Sequence, residues 1–186
     1  MFGKNAEVLQ ALILMVALGT LRCQAQSDGA SMASIGLGAC GDSGSKFEVK
    51  ETNVGSQARA QAGKALVFFV EKDINLGVVS TPLSRAGLDG RWVGATHGAS
   101  YFSFVVEPGI HHLCASTYFG VFGGDYGTAV AHFSAEPGGV YYFEVRNTLP
   151  ASRESSATDV SLVPLDSDEG KYLTSTLPLV EAHQKK

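Results

Sequence analysis

The sequence predicts an all-β fold: a single small antiparallel β-sandwich with a short C-terminal helix. Three observations carry this. Apolar runs of strand length recur through residues 63–165, turn-forming dipeptides separate them, and no stretch between them is long and periodic enough to be a crossover helix. At 186 residues, 45% hydrophobic and with 22 glycines, the chain can bury one core and has no visible internal repeat, so one domain is expected. Its formal net charge is -4, and Lys and Arg are scattered singly, which excludes the basic footprint of a nucleic-acid binder.

Residues 1–25 read as an export signal. Lys4 supplies the positive end, and residues 8–21 are apolar apart from Gln10, Gly19 and Thr20. Cys23 and Ala25 then place small residues before a cut after Ala25. The apolar run, about 14 residues, falls short of the roughly 20 needed to span a membrane. Arg22 before Cys23, and Thr20 where leucine is usual, disfavour membrane anchoring through a lipid on Cys23. The expected location is therefore periplasmic or extracellular. Removing the signal leaves Cys40 and Cys114, an even pair in an oxidising compartment, and these are expected to form a disulfide.

Residues 26–62 read as a flexible leader, poor in large side chains, that carries one short strand at residues 47–50 (FEVK), where apolar and charged residues alternate. Residues 64–71 (KALVFFVE) set six apolar residues in a row between two charges, the mark of a central strand covered on both faces. Residues 73–82 read as a loop or irregular edge.

Residues 87–117 form the organising stretch, in which Asp89-Gly90, His97-Gly98 and Pro108-Gly109 separate apolar runs read as successive antiparallel strands. A type I′ turn at Asp89-Gly90 pairs Leu88 with Arg91 and Gly87 with Trp92. A two-residue turn at Pro108-Gly109 sets Glu107 opposite Ile110, Val106 opposite His111, Phe104 opposite Leu113 and Phe102 opposite Ala115. Phe102, Phe104 and Leu113 then face the core, while Tyr101, Ser103, Val105, His112, Cys114 and Ser116 face outward.

Residues 119–127 (FGVFGGDYG) read as a glycine-aromatic loop, and residues 128–135 as a strand. A turn at residues 136–139 leads to a half-buried strand at 140–147, and a last strand at 160–164 has Pro164 at its end or edge. Asp166 followed by Glu169 resembles a capping box, which predicts a helix from Ser167 to about Thr176. Pro178 and the polar residues 181–186 suggest that order stops soon after. The domain plan is thus a signal (1–25), a leader (26–62), a sandwich (63–165) and a short helix with a tail (166–186). The sandwich is Ig-like or transthyretin-like, with about seven to eight strands.

No catalytic signature emerges. GxGxxG, the phosphate loop and GxSxG are absent, and Gly98-Ala-Ser-Tyr-Phe102 has Phe102 where the last glycine of the elbow belongs. Asp166, Asp168, Glu169 and Gly170 lack the spaced ligands of a calcium loop. His111 and His112 are strand neighbours pointing to opposite faces, and neither HExxH nor CxxC occurs, so no metal and no cofactor is expected. Trp92, Phe119, Phe122 and Tyr126 are candidate binding residues for a peptide or glycan, each with an alternative reading as a core or cap aromatic.

Residues 63–69 (GKALVFF), 88–94 (LDGRWVG), Tyr101-Phe102, 106–113 (VEPGIHHL) and 139–142 (GVYY) resemble the bacterial family called domain of unknown function 2846. The similarity spans roughly residues 60–165. It implies an exported, often lipid-anchored protein with a small β-sandwich, and it supplies no catalytic residues. The expected function is a secreted or periplasmic non-enzymatic module that binds or supports a cell-envelope protein or glycan. Two alternatives stand beside it. One is a hydrolase or metal-dependent enzyme assembled from His112, His132, Asp125 and Glu144; the other is a surface protein that recognises a peptide or glycan through the four aromatics.

Overall fold

Residues 65–71 form a strand in which all seven side chains are buried. This is β2 (Ala65–Glu71), and the fold is arranged so that both of its faces are covered, as the unbroken apolar run requires. The structure, a computed structural model, describes residues 40–52, 60–72, 81–119, 124–148 and 159–185. The expected signal, Cys23 included, lies outside the described residues.

The other strands are β1 (Lys46–Glu51), β3 (Leu83–Leu88), β4 (Arg91–His97), β5 (Ser100–Val106), β6 (Gly109–Phe119), β7 (Gly124–Ala135), β8 (Val140–Thr148), β9 (Asp159–Leu165) and β10 (Val180–Lys185), with one helix, α1 (Ser167–Thr176), between β9 and β10. Two four-stranded sheets, β5-β2-β8-β9 and β4-β3-β6-β7, form the sandwich, and β1-β10 is a separate two-stranded ribbon. The sandwich therefore has eight strands, within the seven or eight expected, and the ribbon brings the described residues to ten.

Between the sheets lie Val67 and Phe69 of β2, Phe102 and Val106 of β5, Leu113 and Ala115 of β6, and Phe143 and Val145 of β8, all buried. The alternate residues of β2, Leu66, Phe68 and Val70, point the other way and pack with Tyr101, Tyr142 and Leu173 of α1. The Phe68 and Tyr142 rings stack at 4.8 Å between centroids. Burying a Val, Leu or Phe side chain contributes about 1.5–3 kcal/mol, so β2 anchors both layers.

The helix follows its local signals. Asp166 caps it, accepting from the Asp168 and Glu169 backbone N–H groups at 2.9 Å each, and those two acids occupy the first turn, where the helix dipole favours negative charge. Only the N-cap half of the capping box is seen, because the Glu169 carboxylate accepts from Lys72 Nζ at 2.9 Å. Gly170 lies against the Tyr142 ring, so closely that a Cβ there would collide with it.

Several expectations need correction. The sandwich is not wholly antiparallel, because β2 and β8 run parallel, Leu66 pairing with Val140 and Phe69 with Phe143. The Asp89-Gly90 hairpin forms as expected, with Leu88 opposite Arg91, Gly87 opposite Trp92, and both turn residues at positive φ. The other two turns in the stretch do not make hairpins. β4 and β5 lie in different sheets, as do β5 and β6, so His97-Gly98 and Pro108-Gly109 carry the chain from one layer to the other. β5 pairs instead with β2, Phe102 opposite Phe69. A turn dipeptide reverses the chain without saying which strand takes the free edge. The assignment of Phe102 and Leu113 to the core still holds, since the two-residue alternation is independent of the partner.

β8 is buried on both faces rather than one, because α1 covers Tyr142, and Glu144 is 3% exposed. Residues 119–127 are partly strand: β6 runs to Phe119, and β7 begins at Gly124. Pro164 does sit on an edge strand, β9. Past Pro178 order continues as β10, which pairs antiparallel with β1. Val49 and Val180 turn into the core while Glu181, His183 and Lys185 face solvent, so a ribbon with one wet face has a tail-like composition.

Candidate functional site

A cleft of about 410 Å³ opens on the outer face of the β4-β3-β6-β7 sheet beneath the β1-β10 ribbon. Its position follows from how residues 40–45 are tied down. The Cys40–Cys114 disulfide, expected from the cysteine count, fastens the start of this segment to β6, with the Cα atoms 5.3 Å apart. Cys40 rests on Gly87, the partner of Cys114 in β3, and a side chain at position 87 would collide with the Cys40 carbonyl oxygen.

Arg85, two residues along the same face, holds the rest. Its Nη1 donates to the Ser43 and Ser45 carbonyls at 3.3 and 3.1 Å, and its Nη2 donates to Ser116 Oγ at 3.0 Å. Its guanidinium carbon lies 4.6 Å from the centroid of the Trp92 ring, a cation–π arrangement. The Trp92 Nε1–H donates to the Asp42 carbonyl at 2.7 Å. Trp92 thus holds residues 41 and 42 against the sheet, beside the part of the segment that Arg85 holds.

Three cations line the cleft: Arg85 from its floor, and Lys46 and Lys185 from the ribbon. Lys46 and Lys185 are direct cross-strand partners. Like charges placed opposite each other on a sheet repel and destabilise it. Glu48, the neighbouring acid on that strand, is engaged by Lys50 at 3.0 Å, and Lys50 is the main cause of its lowered pKa. Phe47, Leu83 and Tyr118 add an apolar wall. Among the described residues lining the cleft there is no His, Asp or Glu to serve as a general acid or base. Chemically, this is a place for an anion attached to a partly apolar body.

On the opposite side of β3, Ser84 points between the sheets into a polar cluster that the sequence reading missed. Glu71 is completely buried and accepts from Ser84 Oγ at 2.8 Å, Thr96 Oγ1 at 2.7 Å and Asn147 Nδ2 at 3.0 Å. Thr117 Oγ1 donates to Asn147 Oδ1 at 2.6 Å and lies 3.1 Å from Ser84 Oγ. Burial pushes the Glu71 carboxyl up to about 7 against the pull of these three donors. The group is sealed from solvent, so its task is in the core.

Of the described side chains in the enzyme alternative, His112 and His132 are brought together and Glu144 is not. His112 and His132 are cross-strand partners on the outer face of β6 and β7. Glu144 lies on the outer face of the other sheet, bound to Lys72 at 3.3 Å and Arg146 at 2.7 Å, with its neighbours Phe143 and Val145 pointing into the core. A sandwich is about 10 Å thick between its sheets, so these groups cannot share one substrate atom. The side chains of Phe119, Asp125 and Tyr126, and the whole of Phe122, lie outside the described residues.

Among the described residues, no group of three or more His, Cys, Asp or Glu is arranged to hold a metal ion, and no helix is long and apolar enough to cross a membrane. The cleft was not legible in the sequence because Lys46, Arg85 and Lys185 are far apart along the chain. The one available signal was Arg85, a charge inside an otherwise small and apolar strand. No family model matches the chain, and no curated protein matches it.

Proposed function

We propose that the protein is an exported, non-enzymatic β-sandwich module that binds an anionic group of a cell-envelope component in the cleft beneath the β1-β10 ribbon. The observation that carries this reading is the direct opposition of Lys46 and Lys185 at the rim of a cleft floored by Arg85. A bound carboxylate or phosphate converts that repulsion into attraction. The volume of about 410 Å³ suits a small ligand group, and Phe47 and Tyr118 offer surface to its apolar part. Export is supported by the signal-like residues 1–25 and by a disulfide, which persists in oxidising compartments. The resemblance to an exported family points the same way.

The test is a titration of the protein with inorganic phosphate and with a short peptide bearing a free C-terminal carboxylate, followed by amide chemical shifts. Residues 43–47, 83–85 and 118 should respond, and the response should weaken with added salt. Lys46→Gln with Lys185→Gln should abolish it while leaving the fold intact. The proposal fails if neither anion perturbs this region, or if the double variant responds as the parent does.

A further inference from the structure

We propose that His112 and His132 form a two-imidazole chelating site for a divalent transition-metal ion on the exposed face of β6-β7, apart from the cleft and independent of its ligand. His112 N–H donates to Asp89 Oδ1 at 2.8 Å, and its carbonyl accepts from Asp89 N–H at 2.9 Å. Both main-chain groups of His112 therefore point toward the β3-β4 turn and away from β7. The pairing of His112 with His132 is then of the non-hydrogen-bonded kind, in which opposed Cα atoms approach to about 4.5 Å and side chains stand closest. Directly opposed side chains project from the same face of the sheet.

Both imidazoles are exposed, the His112 side chain by 75%. Asp89 fixes the backbone of His112, and its Oδ1 lies 4.0 Å from the ring Nδ1, leaving both ring nitrogens of His112 outside hydrogen-bond reach of it. His111 is excluded from the site, because its two ring nitrogens are engaged, Nδ1 with Asp89 Oδ2 and Nε2 with the Glu107 carbonyl, each at 2.7 Å. Adjacent histidines on one strand point apart, whereas opposed histidines on neighbouring strands converge. Two neighbouring imidazoles, with water completing the coordination shell, select ions that favour nitrogen. The expected order is Cu²⁺ above Ni²⁺ and Zn²⁺, with no binding of Mg²⁺ or Ca²⁺.

The experiment is calorimetric titration of the tag-free protein with Ni²⁺ and Cu²⁺ at neutral pH, with amide NMR line broadening by Cu²⁺ as an independent readout. One ion per chain is expected, with broadening centred on residues 112 and 132. His112→Gln and His132→Gln should each weaken binding by at least about tenfold, since losing either ring removes the chelate. His183→Gln, at an exposed histidine on β10, should leave binding unchanged. Unaltered affinity in either variant of the pair, or an equal loss in His183→Gln, overturns the proposal. So does broadening centred elsewhere in the unmodified protein, whether or not the variants fold.

Discussion

The Ser84 hydroxyl donates to Glu71 Oε1 across 2.8 Å inside the core, where both residues are 0% exposed. No charged partner is among the causes of the raised Glu71 pKa; burial comes first and three neutral donors oppose it. The protonated acid is accommodated locally. Thr96 Oγ1 lies 2.7 Å from Glu71 Oε2 and 3.3 Å from the Ser84 carbonyl, so its hydroxyl can donate to that carbonyl and accept a hydrogen bond from the protonated carboxyl.

Stability should therefore fall as pH rises through the window from 4.5 to about 7. Below this window the carboxyl is protonated in folded and unfolded chains alike. Within it the unfolded chain releases its proton first, which favours unfolding, and the loss levels off at roughly 3 kcal/mol above the window. Glu71→Gln should remove this component. Urea unfolding at pH 5 and pH 8 is the check: a variant whose stability changes with pH just as the parent's does would show that Glu71 does not titrate there.

Gly170→Ala should destabilise the protein, against helix propensity, which favours alanine by about 1 kcal/mol. The added methyl meets the Tyr142 ring, which is stacked on Phe68 and has little room to retreat. Overpacking of this kind costs about 1–3 kcal/mol, so a net loss is expected in thermal unfolding. An increase in Tm would mean that α1 sits more loosely on the sheet.

Reduction of Cys40–Cys114 should lower stability by up to about 4.5 kcal/mol, the chain-entropy figure for a link that spans 74 positions. Because Cys40 starts the segment that walls the cleft, Cys114→Ser should also weaken anion binding there. Unfolding curves with and without reductant, paired with the phosphate titration, separate the two effects.

What was legible in the sequence was local. Asp89-Gly90 sets its own hairpin register because positive φ at two successive residues leaves one kind of turn. Asp166 starts α1, and the unbroken apolar run of β2 demands cover on both faces. What was not legible depends on partners distant in the chain. Phe102 lies opposite Phe69 because β2 needs apolar neighbours at its edges, and nothing near Pro108-Gly109 encodes that choice. β10 exists because β1 is there to pair with it, and Lys46 meets Lys185 only as a result. Glu71 looked like the charged end of a strand, but Ser84, Thr96 and Asn147 come from three other strands to surround it. Cys40 and Cys114 were the exception, paired by elimination once Cys23 was assigned to the signal.

Arg85→Lys should loosen residues 41–45 although it keeps the charge. The guanidinium makes three hydrogen bonds in a flat fork, to two carbonyls and the Ser116 hydroxyl, and lies over the Trp92 ring. An ammonium is compact and cannot reach all three while covering an indole. Each lost bond to a charged donor is worth about 1.5–3 kcal/mol, and Arg85 is 4% exposed, so water does not readily replace the partners. Trp92 is the only tryptophan in the chain, which makes its fluorescence a direct reporter of this clamp. The variant should show red-shifted emission from a wetter indole, a stability loss of roughly 2 kcal/mol or more, and weaker anion binding. If emission and stability both match the parent, the disulfide and the Trp92 bond to Asp42 are enough to hold the segment, and Arg85 is left with the cleft as its task.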